Sequence, residues 1–330
     1  MPAKIQQSEV MVCAMKLIVA GLEELRTYVT REFYYTIREL ISTHRWRHIE
    51  THELRNGPGT IRDKLIDELG EFPESILFWE AYELLTGHAN DIYRLDCRKS
   101  ILTDDLHCYD KQMRQAKSVS FALCDTILSA NASLWNTFYP EFCGTKKVVW
   151  VPHSASPDFL LPYNPSPENS ILLSGAIDGY YVLRQQMKAL HAQGSYPIAY
   201  HPHPGYYTGY DYENDQSIGS GYAKIINRYR AAFADSLVFR YVVAKYFEIP
   251  ATGALLFADD AVSGPLRALG FIENKHYFPV SKENLEERVQ YVLDARNHEE
   301  LDEIRRSGQK LVWERHKTVD RAGQINEECS

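Results

Sequence analysis

Long hydrophobic runs and closely spaced cysteine pairs are both missing from this 330-residue sequence. The apolar run at residues 10–21 is too short to cross a bilayer, so we expect no membrane-spanning helix. The opening MPAKIQQSEV lacks the basic-then-apolar order of a signal peptide. No Cys-x-x-Cys occurs, which predicts reduced thiols in a cytoplasmic protein rather than a disulfide framework. The six cysteines are Cys13, Cys97, Cys108, Cys124, Cys143 and Cys329.

The sequence also lacks an excess of basic residues. Its 36 Lys and Arg against 44 Asp and Glu give a formal net charge of −8, so no global positive field would attract nucleic acid or anionic lipid. A hydrophobic content of 45% with 24% charged residues is typical of a globular protein. The length favours two domains over one.

Two nucleotide-binding motifs are absent as well. The first predicted strand–helix turn, VAGLEELR, has the single Gly21 and no G-x-G-x-x-G, which disfavours a nicotinamide or flavin enzyme. No G-x-x-x-x-G-K-[ST] occurs, which excludes a P-loop kinase.

Strand-length apolar segments that alternate with helix-periodic segments are present throughout, and this order predicts parallel α/β units. A strand is predicted within each of the following segments: 15–21, 48–54, 75–85, 99–109, 125–130, 146–155, 170–177, 196–203 and 254–259. Predicted helices cover 22–44, 60–72, 181–193, 222–249 and 282–316, and a further helix begins at Lys111. The proline-rich stretch 152–167 cannot continue a helix or a central strand, so we expect a linker there. The expected ligand cleft lies where the carboxyl ends of the two sheets face each other.

The segment KYFEIPATGALLFADD, residues 245–260, places Lys245 and Glu248 on one face of a predicted helix. One interpretation is an ion pair on a surface helix. The other is a nucleotide site, in which the Lys245 ammonium offsets phosphate charge and the Glu248 carboxylate accepts hydrogen bonds from ribose hydroxyls. Gly253 would then allow a close approach of the backbone.

The same segment resembles the C-terminal nucleotide-sugar domain of GT-B glycosyltransferases, and most closely the CgeB-like group. Glu248 and Gly253 keep the five-residue step of that group, with Thr252 between them. The wider superfamily often carries a second glutamate eight residues before the first, and Arg240 occupies that position here.

Further segments resemble the same group in the same order. In LLSGAIDGYYVLRQQM, residues 172–187, the resemblance implies that Gly175, Ala176 and Arg184 face the donor diphosphate. In YHPHPGY, residues 200–206, it implies that His201 and His203 lie near the nucleobase.

The resemblance implies an α/β GT-B fold of two Rossmann-like, doubly wound domains. Residues 1–155 would form the acceptor domain, 156–310 the donor domain, and 311–330 a helix that crosses back to the first. The implied activity is a hexosyltransferase-like transfer, metal-independent and retaining, from a nucleotide-diphosphate sugar with UDP as the expected nucleotide. This nucleotide sugar is a co-substrate, and no cofactor is expected. The acceptor hydroxyl could belong to a glycan, a small molecule, a protein or a modified nucleic acid.

The segment LTDDLHCYD, residues 102–110, ends a predicted strand with an acidic and histidine cluster. Asp105 and His107 are our candidates for a general base or for a charge that stabilises an oxocarbenium-like state. In the structural alternative, Asp104 caps the following turn and His107 is a hydrogen-bonded histidine. No role is assigned to His153.

Two other clusters have a metal-binding appearance, and we predict no metal at either. DYEND, residues 211–215, has no strand leading into it, and a solvated acidic loop is the simpler interpretation. His201 and His203 have no third ligand nearby, so base stacking, a backbone contact to a base, or an ordinary surface turn fits better.

Two alternative functions use the same donor site. A nucleotide-sugar epimerase would need a further acid–base set in the cleft. A non-catalytic nucleotide-sugar-binding protein would keep the donor site without the chemistry of the first domain.

Overall fold

A computed structural model describes residues 15–329 of the chain; Cys13 and the first part of the apolar run 10–21 lie outside this range. The strands of the described residues are β1 (Lys16–Ala20), β2 (Arg47–Glu50), β3 (Ser75–Trp79), β4 (Arg98–Thr103), β5 (Thr126–Ser129), β6 (Lys147–Trp150), β7 (Glu168–Gly175), β8 (Ile198–Pro202), β9 (Tyr229–Ala234), β10 (Leu255–Asp259) and β11 (Phe278–Val280).

The α-helices of the described residues surround these strands. They are α1 (Leu22–Arg26), α2 (Glu32–Ser42), α3 (Thr51–Arg55), α4 (Ile61–Leu69), α5 (Tyr82–Gly87), α6 (Ala89–Tyr93), α7 (Lys111–Leu123), α8 (Trp135–Phe138), α9 (Val182–Gln193), α10 (Gly219–Arg228), α11 (Lys245–Ala251), α12 (Ser263–Ala268), α13 (Leu285–Leu293), α14 (His298–Arg315) and α15 (Thr318–Glu328).

The first six strands form one parallel sheet in the order β2-β1-β3-β4-β5-β6. Neighbouring residues of β1 are buried on opposite faces: Leu17 packs in one apolar cluster, and Ile18 packs in another. Both faces of the sheet are therefore covered, which explains why these strands read as continuous apolar runs.

The other five strands form a second parallel sheet, in the order β11-β10-β9-β7-β8. Leu172 and Ile171 of β7 point into two different buried clusters, so this sheet is also covered on both faces. In both sheets the order reverses beside the first strand of the series, as in doubly wound folds. The predicted α/β class with two doubly wound sheets is confirmed.

The prediction of a mostly helical segment over 222–249 is wrong, because the central strand β9 runs through it. The strand sequence YRAAFA is rich in alanine, a strong helix former. Ala231 and Phe233 pack on one face, whereas Ala232 and Ala234 pack on the other. A short strand buried on both faces has no polar alternation, so its sequence pattern resembles a buried helix.

Two predicted long helices are interrupted in the structure. The helix predicted over 22–44 is divided into α1 and α2 by residues 27–31, which contribute to the cleft described below. The helix predicted over 282–316 is divided into α13 and α14 by the 3-10 turn Ala295–Asn297. The Asp294 side chain accepts a hydrogen bond from the Arg296 amide and so caps that turn.

The final helix, α15, packs against α2 and the first sheet. Ala322 and Ile325 are completely buried in the apolar cluster that contains Ile18 and Leu40. Below, "first lobe" means residues 15–155 together with α15, and "second lobe" means residues 156–317. None of the helices in the described part of the chain has the length and apolar composition that crossing a bilayer requires.

Candidate functional site

A cavity of about 520 Å³ lies between the two lobes. It is lined by residues that follow or end parallel strands of both sheets: Asp104 after β4, His153 after β6, Gly175 at the end of β7 and His201 in β8. Carboxyl ends of parallel strands meet at one edge of each sheet, and these two edges face each other here. The cavity is our candidate site.

The turn after β7 brings two cations close to the backbone. Gly175 has φ +100, and a Cβ atom there would lie 2.8 Å from Arg184 Nη1 and 3.0 Å from Lys245 Cε. Arg184 is buried, and its Nη1 donates a hydrogen bond to the Ala176 carbonyl (3.0 Å). Only glycine leaves this backbone accessible beside two positive charges, an arrangement suited to a bound anion.

Lys245 does not form an ion pair with Glu248. Its ammonium donates to the hydroxyls of Tyr222 and Ser174 and lies 4.6 Å from the centre of the Tyr222 ring. Among the described residues, no carboxylate lies within ion-pair distance of Lys245, so its charge remains available to a ligand in the cavity. The surface ion pair that the sequence left open is not formed.

Glu248 lines the same cavity and is only 7% exposed. Its carboxylate accepts no hydrogen bond from any residue in the described range 15–329. Burial raises its pKa to about 7, and the nearby Lys245 opposes this shift. A buried carboxylate without a donor is costly to maintain, and a ligand with hydroxyl groups would satisfy it.

The two histidines of β8 and the following loop also line the cavity. The His201 ring stacks on Tyr222, with 5.7 Å between the ring centres. Nδ1 of His203 accepts a hydrogen bond from the Gly205 amide (2.9 Å). Burial and the Lys245 charge lower the pKa of both, to about 4 for His203, so both are neutral near pH 7.

The amino end of α10 contributes backbone donors. Ser217, Ile218 and Gly219 line the cavity directly before and at the start of this ten-residue helix. No side chain caps this end of the helix, so its first amide groups are available to an anion.

Three sequence-predicted residues lie away from the cavity lining. Ala176 contributes its carbonyl to Arg184, as described above. Thr252 is fully buried and donates its hydroxyl to the Ile249 carbonyl (2.8 Å). Gly253 ends α11 with φ +82, and a Cβ there would contact Tyr163 and Gln309. Thr252 and Gly253 end helix α11, and a ligand contact by either residue stays a prediction.

On the first-lobe wall, the buried side chains of Glu32 and His153 and the half-buried side chain of Asp104 contact one another in a row. His153 Nδ1 lies 2.8 Å from Glu32 Oε2, and its Nε2 lies 3.0 Å from Asp104 Oδ1. Burial alone would lower the pKa of His153, but the two carboxylates raise it well above its usual value. Burial would likewise raise the pKa of Asp104, and the His153 cation instead lowers it. Both are therefore charged near pH 7.

The predicted pair Asp105 and His107 also lines the cavity. The Asp105 side chain is 54% exposed, and His107 Nδ1 lies 3.8 Å from its Oδ1. Burial in the cleft wall and the adjacent Asp104 and Glu80 raise the pKa of Asp105 to about 7. Burial and Lys117 lower the pKa of His107, whose ring stacks on Phe239 at 4.4 Å.

Two segments connect the lobes beside the cavity. Arg31 of the first lobe forms a two-pronged ion pair with Asp158 of the second, at 2.8 Å and 3.0 Å. The same guanidinium lies 3.6 Å from the centre of the Tyr212 ring, and the Tyr212 hydroxyl donates to the Tyr28 carbonyl (2.5 Å). The tyrosine-rich loop around Tyr212 thus contacts the break between α1 and α2.

The acidic DYEND segment forms a turn through bonds within itself. Asp211 accepts hydrogen bonds from the Glu213 and Asn214 amides and from the Asn214 side chain. No group of three or more His, Cys, Asp or Glu side chains among residues 15–329 has a geometry that could hold a metal ion.

Sequence reasoning missed the chain Glu32–His153–Asp104. Asp104 and His153 each follow a strand of the same parallel sheet, with β5 between those strands. The strand ends were therefore a usable signal, whereas Glu32 on α2 carried none. The lysine partner Tyr222 was also missed, because it lies on α10, far from Lys245 in sequence, and no local spacing connects the two residues.

Solved structures of similar fold cover almost the whole chain. A sucrose-phosphate synthase from Thermosynechococcus elongatus is 11% identical, with a TM-score of 0.61 over 95% of this chain and 98% of that one. This chain has the GT-B fold.

Two further GT-B structures were determined with a nucleotide bound. HepE from Anabaena in complex with UDP is 10% identical, with a TM-score of 0.56 over 95% of this chain and 99% of HepE. An alpha-glucosyltransferase in complex with UDP and a 13-mer DNA containing an HMU base is also 10% identical. Its TM-score is 0.58 over 96% of this chain and 99% of the enzyme. At these identities the likeness shows the fold.

In sequence, the family described as Glycosyl transferase-like matches residues 186–327. This match covers α10, α11 and most of the second sheet, together with α15. No curated protein matches the chain in sequence.

Proposed function

We propose that this protein is a glycosyltransferase that moves a sugar from a nucleotide-diphosphate donor, with UDP as the nucleotide, to a hydroxyl acceptor. The observation that carries the proposal is the group formed by Gly175, Arg184, Lys245 and Glu248 on one wall of the cavity. This group combines two cations near exposed backbone with one buried carboxylate that has no hydrogen-bond donor. The family match and the UDP complexes of similar fold support the same function.

In this proposal the diphosphate binds near Gly175, Arg184, Lys245 and the amino end of α10. Positive charge and helix amides would stabilise the leaving diphosphate without a metal ion. Glu248 would accept hydrogen bonds from the ribose hydroxyls. His201, neutral and stacked on Tyr222, would contact the base.

In the transfer step, the bond between the anomeric carbon and the β-phosphate oxygen breaks, UDP leaves, and the acceptor oxygen bonds to that carbon on the same face of the sugar ring, as a retaining outcome requires. We assign Asp105 as the group that receives the acceptor proton, because it is accessible and its pKa of about 7 matches that task. His107 would orient Asp105, and the ionised Asp104 would stabilise positive charge on the sugar ring.

Membership of the CgeB-like group, hexosyl transfer and a retaining outcome rest on the sequence resemblance. Location in the cytoplasm is supported by the cysteines within the described residues, which are free thiols: Cys97, Cys108, Cys124, Cys143 and Cys329.

A thermal-shift series with UDP, GDP, ADP and CMP tests the donor site. UDP at one hundred times its Kd should stabilise the folded protein by about 2.7 kcal/mol and raise its Tm. Glu248→Gln should reduce that shift strongly, because the amide is a weaker acceptor for ribose hydroxyls. Glu287→Gln, on the exposed face of α13, is the matched control and should respond as the unmodified protein does.

Hydrolysis of UDP-glucose, UDP-galactose and UDP-N-acetylglucosamine without acceptor then tests for chemistry. If no nucleotide diphosphate raises the Tm, the donor-site assignment is wrong. Binding without any release of UDP would instead support a non-catalytic nucleotide-sugar-binding protein.

A further inference from the structure

The first-lobe end of the cavity has a chemical character different from the donor end. It is lined by Asp104, Asp105, Tyr28 and Tyr109 of the first lobe and by Tyr180, which the second lobe contributes. Tyr109 is 71% exposed and Tyr180 is 40% exposed, so both present ring surface to the space between the lobes. This acidic and aromatic end is called the tyrosine end below.

The tyrosine rings are held in place by stacking. Tyr180 stacks on Phe239 with 5.5 Å between ring centres, and Phe239 in turn stacks on His107. Tyr109 contacts the edge of the His107 ring, with 5.1 Å between the centres. Rings that are fixed in this way can bind the apolar face of a sugar at little entropic cost.

The cationic side chains in the described lining of the cavity are either paired with carboxylates or located at the donor end. Arg31 is paired with Asp158, and the charged His153 lies between Glu32 and Asp104. The other two, Arg184 and Lys245, lie beside Gly175 at the donor end.

The charge at the tyrosine end is therefore negative. Asp104 is ionised, Asp105 lies beside it, and Asp178 also lines the cavity. Lys117 is buried, and its ammonium donates to the backbone carbonyl of Asp105, so it does not extend into the cavity. A phosphate, sulfate or carboxylate placed here would be repelled by Asp105 and Asp178, whereas the charge of Asp104 is largely offset by His153.

The same cavity also contains the buried carboxylate of Glu248, which accepts no hydrogen bond from the described residues. Glu248 is assigned above to the ribose of the donor, so it indicates a ligand rich in hydroxyl groups at the donor end only. At the tyrosine end, the exposed tyrosine faces with their neighbouring carboxylates also suit a ligand rich in hydroxyl groups, because its hydroxyls donate to the carboxylates while the C–H groups of the sugar ring pack on the tyrosines.

We propose that the tyrosine end selects a carbohydrate acceptor without negative charge, so that neutral or amino-bearing sugars are glycosylated and uronates, sugar phosphates and DNA are rejected. This inference rests on the proposed glycosyltransferase function and specifies its acceptor.

The test uses the full chain with UDP-glucose, UDP-galactose and UDP-N-acetylglucosamine, and a library of oligosaccharides in matched neutral, amino-bearing, uronate and phosphorylated forms. A DNA duplex with a hydroxymethylated base is a further arm. UDP release is measured above the rate of acceptor-free hydrolysis, and products are identified by mass spectrometry. We expect neutral or amino-bearing sugars to accelerate release at least tenfold more than their anionic counterparts.

Tyr180→Ala provides the residue-level test, with Tyr93→Ala as the matched control because Tyr93 is 77% exposed on α6, outside the cavity. Tyr180→Ala should raise the KM for the acceptor severalfold and leave the Kd for UDP unchanged.

Preference for a uronate, a phosphorylated sugar or DNA overturns the inference, as does the absence of acceleration by any carbohydrate. In both cases donor hydrolysis and UDP binding still report on the donor site. Failure of the acceptor assignment is thus distinguishable from failure of the proposed function.

Discussion

The two walls of the cavity use charged residues in opposite ways. On the second-lobe wall, Arg184 and Lys245 have no carboxylate partner among the described residues, and Glu248 has no donor. On the first-lobe wall, Asp104 and Glu32 are both satisfied by His153. One wall leaves its charges for a ligand, whereas the other pairs most of them internally.

This difference indicates separate roles for the walls. Unpartnered buried charges are costly in the free protein and are compensated when a complementary ligand binds, so the second-lobe wall is suited to tight binding. The paired charges of the first-lobe wall fix the ionisation of Asp104 and leave the accessible Asp105 to exchange protons. Three predictions test this division.

The largest expected effect is on catalysis. Asp105→Asn should lower kcat for transfer by about 10² to 10⁴, because it removes the proposed proton acceptor. The Kd for UDP should stay unchanged, since the donor wall is intact. Transfer kinetics with calorimetric UDP binding measure both quantities. A large loss of UDP affinity in this variant would mean that the two walls do not act separately.

The second effect is on stability. His153→Ala leaves Glu32 and Asp104 close together without their cation, and we expect a loss of about 3 kcal/mol in the free energy of unfolding near pH 7. Urea denaturation measures it, with His52→Ala on the exposed face of α3 as the control.

The pH dependence of this contribution has a defined sign. The folded pKa of His153 is raised, so its stabilisation is complete below the unfolded value of about 6.5 and declines as pH rises through the folded value. If His153→Ala and the unmodified protein were equally stable at pH 6, the stabilising pairing of His153 with Glu32 and Asp104 would be refuted.

The smallest effect is a pH dependence of donor binding. With a pKa of about 7, Glu248 is roughly one-tenth ionised at pH 6 and nine-tenths at pH 8. If the carboxylate form binds ribose, affinity for UDP-glucose should rise about tenfold over this range. UDP-glucose is preferred to UDP because its phosphates do not titrate there.

Calorimetry at several pH values measures this effect, and Glu248→Gln should abolish most of the dependence. An unmodified protein whose affinity is constant from pH 6 to pH 8 would show that Glu248 does not contact the donor in its ionised form.

Much of the second-lobe wall could be predicted from local sequence. Lys245 and Glu248 lie one helical turn apart, and Gly175 follows an apolar strand, so spacing alone places them near a strand end. The functional roles of the site residues remain predictions. Gly253 entered the predicted site through its five-residue step from Glu248 and the close backbone approach that a glycine allows, with Thr252 beside it, and the structure shows that both residues end the helix.

The first-lobe wall was less predictable because its parts are distant in sequence. Glu32, Asp104 and His153 come from a helix, a strand end and the linker, and no local pattern connects them. The break at residues 27–31 was also missed, since the flanking segments are both helix-periodic.

The sequence by itself determined the alternation of strands and helices and the polar side chains on one turn of α11, because periodicity and spacing are local properties. Only the tertiary structure decided which strand ends are neighbours, and hence which charges are paired and which remain for a ligand. Strand order depends on packing between segments far apart in the chain. For the same reason, the burial that raises the pKa of Glu248 arises only in the folded chain, and the cation that lowers the pKa of Asp104 comes from His153, which follows a different strand of the same sheet.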